Sequence, residues 1–486
     1  MKKINIILSL ICVLAISSCE GFLDVTPTNQ ADSTTSITSA ADAQVMINGL
    51  MQKMTSSSYY GRNFVQYGDA KGGDITIYTA GFDDNMYYFA HRAEGGSQIG
   101  FWTTGYNCLL QANNLVVNLE KLKEEGLTGL DNLLGQALTI RALIHFDLVR
   151  LYGKPYNMDG GASYGVPVVT APVDATAQLQ RNTVKEVYDQ VVADLTKAAP
   201  FLSKSKSNGY LNYYGNQAIL GKVYMYMDNF SAALTCFKNI IDSKAYTLYT
   251  PANWVASWKT QFGSESIFEF AMYPNEGDLG ASSLGVRYSR KNHAHSNAYG
   301  YFMASTYWKN IMGANDIRWG IMTYDHMKDE EERSNWDDCC YKYLGDSNLA
   351  GDGKSTHTAV NIKVIRLSEI YLLAAECALK SDKGAAANYL NAISKRDPDR
   401  AEWTASTINE DAVYNEYRRE LLTEGKLFFE QMRQNRKVTF EDDAWGFGTT
   451  SQYRDKTIDR TFFRAILPIG IDEINSNPDI YQNPGY

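Results

Sequence analysis

The sequence predicts a mostly α fold: a scaffold of paired helices interrupted by two long, loop-rich insertions carrying short β-strands. Three observations predict it. After Trp102, apolar residues recur at helical spacing in one stretch after another. Two segments, 55–101 and 245–365, lose that period and turn rich in Gly, Asp and aromatic residues. Tyrosine is unusually abundant, with 33 against 19 Phe and 8 Trp. A tyrosine ring has an apolar face and a polar tip, which suits both recognition surfaces and a helical core whose hydroxyls reach water.

The chain opens on an export signal. Lys2 and Lys3 precede an almost wholly apolar run from Ile4 to Ile16, followed by the small Ser17 and Ser18. The run is too short to span a bilayer, which needs about 20 apolar residues. Ile16-Ser17-Ser18-Cys19 resembles a bacterial lipobox, in which the cysteine is acylated and becomes the first mature residue. Ordinary cleavage near Ser18 with Cys19 free is the alternative. Each buried acyl CH₂ contributes about 0.8 kcal/mol, and stable anchoring takes more than one chain, which triacylation would provide. Glu20 and Asp24 just beyond resemble the surface-export signals of Bacteroidetes lipoproteins. Residues 1–18 are thus expected to be a signal peptide and 19–38, polar and rich in Ser and Thr, a lipidated tether.

Removing 18 residues from 486 leaves 468, enough for one large domain or several small ones. Losing Lys2 and Lys3 moves the net charge from −9 to −11. A chain this acidic, without a basic run, is a poor match for nucleic acid. Besides Cys19 the mature chain carries Cys108, Cys236, Cys339, Cys340 and Cys377, an odd number without framework spacing. Cys108, Cys236 and Cys377 fall in apolar helical patterns and read as small core residues. Cys339 and Cys340 are adjacent in a polar stretch, where free thiols are favoured over a strained vicinal bridge.

Along the mature chain, a helix is predicted from Ala40 to Met54. Residues 55–101 read as long loops with short strands. The next helix carries Leu109, Ala112, Val116, Leu119 and Leu122 on one stripe. Another carries Leu138, Ala142, Phe146 and Val149 and stops at Gly153. Further helices are predicted at 183–199, 215–227, 230–242, 366–380, 384–396, 409–424 and 426–436. Between them, 245–365 reads as irregular, with strand-like pieces such as SIFEFAMY. The pair at 215–242 resembles a tetratricopeptide unit, with Leu220, Gly221 and Tyr224 on one helix and Ala233 and Phe237 on the other. The pair after Leu373 departs from that pattern, with Asn391 where an aromatic is usual.

By its C-terminal third the chain resembles the SusD/RagB family of Bacteroidetes nutrient-uptake lipoproteins. The segments that carry the likeness are VIRLSEIYLLAAECAL (364–379), NYLNAISKRDP, NEYRRELLTEGKLFFEQMR and LPIGIDEINSNPDIYQNPGY, with FLDVTP and IRALIHFDLVRLYG upstream. Leu427 and Glu430 stand where the family usually has Arg and Asp, so a salt bridge there is missing or rebuilt. The resemblance implies a SusD-like α-superhelical fold, with 39–245 its N-terminal region and 246–486 its C-terminal region. It also implies a cell-surface outer-membrane lipoprotein that captures a nutrient, usually a glycan and in some members a peptide. The nutrient passes to a SusC-like TonB-dependent transporter. Arg418, Arg419, Glu420 and Glu424 of the shared motif sit at helical spacings that make i,i+4 pairs, so a structural role is expected for them.

Catalysis is not predicted. Asp83-Asp84, Asp337-Asp338 and Glu330 to Glu332 are neighbours in sequence, whereas a glycosidase needs two carboxyl groups set across a cleft. A surface glycosidase without a recognised motif remains the rival enzyme reading. No cofactor is implied. His293-Ala294-His295 lacks a third metal ligand, and GDSNLAGDGKS (345–355), with Asp346, Asn348 and Asp352, breaks the spacing of a calcium loop and reads as a turn-rich loop. The expected chemistry is that of a sugar binder: aromatic faces for C–H surfaces, with Asp, Arg and His for hydroxyls. Candidate ligand residues, chosen on loop position and chemistry, are Asp74, Tyr78, Asp83, Tyr87, Tyr88, Arg287, Tyr288, His293 and Tyr299. Trp308, Trp319 and Trp336 stand in reserve.

Overall fold

The computed structural model describes residues 37–77, 84–94, 100–174, 176–290, 298–322, 338–442 and 453–486. Its main helices are α1 (Ala40–Met54), α2 (Asn63–Ala70), α3 (Phe101–Glu124), α4 (Asp131–Tyr152), α5 (Val184–Ala198), α6 (Tyr213–Tyr226), α7 (Phe230–Ser243), α8 (Leu367–Ala378), α9 (Lys383–Ser394), α10 (Glu410–Leu421), α11 (Leu427–Arg433) and α12 (Ile471–Ser476). The strands are β1 (Ile75–Ile77), β2 (Ser266–Phe270), β3 (Phe302–Ala304), β4 (Ile362–Arg366), β5 (Val438–Thr439) and β6 (Thr457–Ile458). They form three antiparallel pairs, β1–β3, β2–β4 and β5–β6.

From α3 to α8 each helix packs on the one before it, and α8 then packs on both α9 and α10. This array crosses the second insertion without a break, because α7 and α8 touch although 123 residues separate Ser243 from Leu367. Local sequence sets the helix ends. Ser39 caps α1 by accepting from the Asp42 amide, and Thr183 with Glu186 forms a reciprocal capping box on α5. The α6–α7 pair closes as its sequence predicts: a Cβ on Gly221 would stand 2.5 Å from the Phe237 ring. Asn391, the departure in the α8–α9 pair, exchanges two hydrogen bonds with the backbone of Trp403 at 2.9 and 2.8 Å. It fixes the chain that leaves α9 instead of filling a gap between helices.

The first insertion departs from expectation. It contains α2, in which all eight residues are buried. A helix covered on every side has no polar face and so no amphipathic period to read. Its position is set by backbone: a Cβ on Gly68 would meet the Gly425 carbonyl oxygen at 2.0 Å. Gly425 itself has φ +73°, in the left-handed region. Cys339 and Cys340 are free, as expected, and both are buried, with the Cys340 thiol 3.1 Å from the Thr423 hydroxyl.

The charged family motif is also arranged differently from the expected i,i+4 pairs. Arg419 pairs with Glu416 one turn away, and the other members reach across elements. Glu420 accepts from Arg318 at 3.3 Å, Arg366 at 3.1 Å and the Trp254 indole at 3.1 Å, and is ion paired with Arg396. Glu424 takes a bidentate contact from Arg366 at 2.6 and 2.9 Å and one from Lys342 at 2.8 Å. Arg318 is bidentate on Asp316 and reaches Glu416, and Glu265 bridges Arg366 and Arg396. All of these side chains are buried. The expected salt bridge at Glu430 is rebuilt, with Arg433 at 2.7 Å and the Tyr226 hydroxyl at 2.9 Å.

Burial alone would raise the Glu424 carboxyl, but Arg366 and Lys342 outweigh it and hold it at about 2. Burial pushes His145 in α4 down to about 4. Both folded values are depressed, so both groups contribute stability above their unfolded values of 4.5 and 6.5 that is lost as pH falls through the folded values. Asp69, raised to about 7 by burial, opposes His145 above pH 4, so the melting temperature is expected to drop between about pH 4.5 and 2, with a shallower slope there in Glu424→Gln, read by circular dichroism. Removing Glu420 strands buried guanidinium groups. Glu420→Ala should cost about 3–5 kcal/mol in urea unfolding, whereas Glu410→Ala, in an exposed pair with Lys380, should cost less than about 1 kcal/mol.

Candidate functional site

The pairing of β1 with β3 decides which loops meet. The register is Ile75↔Ala304, Thr76↔Met303 and Ile77↔Phe302. The chain leaving β1 at Ile77 and the chain entering β3 at Phe302 therefore share one end of a short ribbon. The two stretches that supplied the candidate residues, over 200 residues apart in sequence, are joined there. A third stretch adjoins them. The Thr76 hydroxyl donates to the Glu441 carbonyl at 3.0 Å, and the Tyr87 hydroxyl reaches the same oxygen at 3.2 Å.

Several candidates hold this arrangement together. Asp74 is buried and receives the Arg418 guanidinium in three contacts of 2.5–3.0 Å. Burial raises the Asp74 carboxyl, and Arg418 opposes that rise. Arg418 thus ties the ribbon to α10. Tyr288 is fully buried and donates to Asp69 at 2.6 Å. Asp69 also accepts the Gly425 amide at 2.8 Å, and burial lifts its carboxyl to about 7 against these two contacts. Tyr87 is buried under the Arg454 guanidinium, 4.9 Å from its ring centre. Arg287 is buried, lying 5.3 Å from the Tyr299 ring and 5.8 Å from the Tyr301 ring. Asp74, Tyr87, Arg287 and Tyr288, expected on exposed loops, are thus buried against partners inside the fold. A loop position in sequence carries no information about what will cover it.

Tyr299 and Tyr88 are half-buried. Tyr299 is fixed through its amide to the Val286 carbonyl at 2.7 Å, and its ring lies 5.2 Å from that of Tyr301. The Tyr88 carbonyl accepts the Tyr453 amide at 3.0 Å. Tyr453 is 41 % exposed, and its hydroxyl accepts from Arg92 at 2.7 Å. Tyr453 and Arg92 are additions to the candidate set. Arg92 lies in the Tyr-rich first insertion, but nothing in the sequence marks Tyr453. Tyr78, Asp83, His293 and Cys19 lie outside the described residues, as does Trp336. Trp308 is fully buried, with its indole on the Arg418 carbonyl at 3.0 Å, and Trp319 donates to the Gly313 carbonyl at 2.9 Å.

The abundant tyrosines fall into two groups. Several buried ones find carboxylates: Tyr59 and Tyr60 both donate to Asp147, at 2.5 and 2.7 Å. The half-exposed ones are spread over the surface, with Tyr299 beside the ribbon and Tyr164 and Tyr481 elsewhere. The carboxylates raised by burial, Asp69, Asp74, Asp147 and Glu376, each have an arginine or hydroxyl partner inside the fold. In the 345–355 loop Asp346 accepts the Asn348 amide and Asp352 faces Lys354. Among the described residues no group of three His, Cys, Asp or Glu side chains is placed to hold a metal ion.

A run of paired helices interrupted by two loop-rich insertions that meet at one short ribbon defines a class, a helical-repeat scaffold carrying joined loops. Comparison with known proteins makes the class particular. Residues 21–225 match a SusD-like family described as starch-binding and associating with the outer membrane, and residues 265–486 match the SusD family. A SusD superfamily protein of Bacteroides thetaiotaomicron is 30% identical, with a TM-score of 0.82 over 92% of this chain and 100% of that one. SusD-like protein P2 of Formosa agariphila is 22% identical over the whole of both chains. A laminarin-binding SusD-like protein shares the fold, at 20% identity and a TM-score of 0.70 over 93% of this chain and all of its own. The chain belongs to the SusD/RagB family. Among the described residues no helix is long and apolar enough to cross a membrane.

Proposed function

We propose that this protein is a non-catalytic glycan-binding lipoprotein of the outer-membrane surface. It captures an oligosaccharide or polysaccharide and delivers it to a SusC-like TonB-dependent transporter. The observation that carries the reading is the β1–β3 ribbon, with the half-buried Tyr299 shortly before β3 and the half-buried Tyr88 further along the chain that leaves β1. Half-exposed rings offer flat faces to sugar C–H groups, and nearby polar side chains offer partners to hydroxyls. Family membership and the starch-binding description of its N-terminal match support the same chemistry. Cys19 follows an export signal in a lipobox-like setting, and acylation there would hold the protein at the membrane.

A site with few rings and a wet rim binds weakly, on the order of micromolar to millimolar. Each stacked ring contributes about 0.5–1.5 kcal/mol. Calorimetry against amylopectin, laminarin and xylan should find one that binds, and Tyr78, Tyr88 and Tyr299 replaced together by Ala should weaken that binding by about tenfold or more while the helical circular dichroism stays unchanged. Binding to peptides with no glycan binding would reverse the reading. Tagged wild-type protein purified from outer membranes in mild detergent should bring the transporter with it. Cys19→Ser should leave the membrane fraction and recover none; a mutant that stays in the membrane would sink the anchor.

A further inference from the structure

A cleft of about 220 Å³ opens between the start of α3 and the α12 segment. Its walls are fixed by backbone: the Leu467 amide donates to the Leu151 carbonyl and the Ile471 amide to the Ala93 carbonyl, each at 2.8 Å. One wall is the half-buried Trp102, whose indole N–H is held by Glu473 at 3.0 Å and whose ring rests against Tyr152, with centres 5.0 Å apart. Arg92, Thr103 and Ser476 bring exposed polar groups to the rim.

The inner wall holds the telling group. His91 is 1% exposed and lines the cleft, yet neither ring nitrogen has a hydrogen-bond partner. A buried polar group left unpaired is costly, so such a side chain points to a ligand or a ligand-held water that completes it. Burial, with Lys71 and Arg464 nearby, keeps its imidazole neutral. A neutral imidazole has one donor and one acceptor, as a sugar hydroxyl does. Asp472 and Glu473 on the wall disfavour an anion. Past Ser476, Tyr481 stacks on Tyr164 with ring centres 4.7 Å apart, and the two are 50% and 48% exposed. Arg181 holds the backbone of both.

We infer that this cleft is a second saccharide site, distinct from the β1–β3 ribbon end, which takes a neutral sugar against Trp102 and passes the rest of the chain over the Tyr164–Tyr481 pair. The inference rests on the glycan-binding reading and extends it to a longer ligand. Two sites on one protein would favour a polysaccharide over its short fragments, since the second contact becomes intramolecular.

The test uses the full-length lipoprotein in detergent with amylopectin, laminarin and xylan, read by affinity electrophoresis and hydrogen exchange. Bound glycan should slow exchange in 100–106 and 467–477. Thr103→Arg, which fills the mouth from an exposed position, and Tyr481→Ala should each weaken polysaccharide binding by about tenfold or less. Trp102→Phe should do the same, with an unchanged melting temperature checking that it folds. Tyr299→Ala should leave the protection at 467–477 in place. Glycan binding with no protection there, and no effect of Thr103→Arg or Tyr481→Ala, overturns the second site and spares the first. No binding of any of the three glycans by the wild type overturns both.

Discussion

The fold turns on one buried carboxylate. Glu420 sits near the end of α10 and is contacted by guanidinium groups that arrive from three directions. Arg318 comes from the second insertion, Arg366 from the end of β4 and Arg396 from the chain leaving α9. Each of those three also has another carboxylate: Asp316 for Arg318, Glu424 for Arg366 and Glu265 for both Arg366 and Arg396. Such clusters add little net stability over a well-packed apolar core, because desolvation consumes most of the Coulomb gain. What they impose is register. An insertion displaced by one residue would leave a buried charge without its partner, and that alternative is several kcal/mol worse, on the order of 3–5. A long irregular segment with little regular structure of its own is thereby held to one position on the helices.

This accounts for how the loops come to be aimed. Arg418 lies two residues before Glu420 and carries the same logic outward to Asp74 and the ribbon. Asp69 carries it inward, joining α2 to Gly425 and Tyr288. The ribbon end is thus cantilevered from α10 through two carboxylates, each raised by burial and each satisfied. Asp69 has the opposite pH sense to Glu424: its folded value is raised, so its contribution is present below the unfolded value of 3.8 and is lost as pH rises through about 7.

The amphipathic helices were legible because each has one wet face, and α1 begins and ends at the residues its pattern predicts, Ala40 and Met54. Gly221 and Phe237 were legible as a contact because the repeat spacing places them opposite each other. The helix α2 was not, since complete burial erases the period. The family motif pointed to structural charges but not to their partners. Glu420 and Arg318 are 102 residues apart, a pairing that no local spacing encodes. The candidate site was half legible for a related reason. Composition located the two stretches that the ribbon joins, yet Tyr288 and Tyr299 are alike in composition and opposite in role, and only the packing of Asp69 separates them. Tyr453 could not be found at all, because its links to Tyr88 and Arg92 span more than 360 residues of sequence.

The division of labour among the tyrosines carries the last step. A scaffold that bound its ligand with the same residues that hold it together could not change specificity without losing stability. Here the hydroxyls of Tyr59, Tyr60, Tyr226 and Tyr288 are committed to Asp147, Glu430 and Asp69, all inside the fold. Tyr88 and Tyr299 are half-buried, and Tyr453, Tyr164 and Tyr481 keep 41–50% of their surface in solvent. Replacing them changes surface, which ordinarily costs less than about 0.5 kcal/mol. The fold found in a relative at 30% identity and again at 20% is the part such substitutions do not reach. In this chain the surface rings are then free to change, while Asp69 and Asp74 keep the ribbon fixed to the helices.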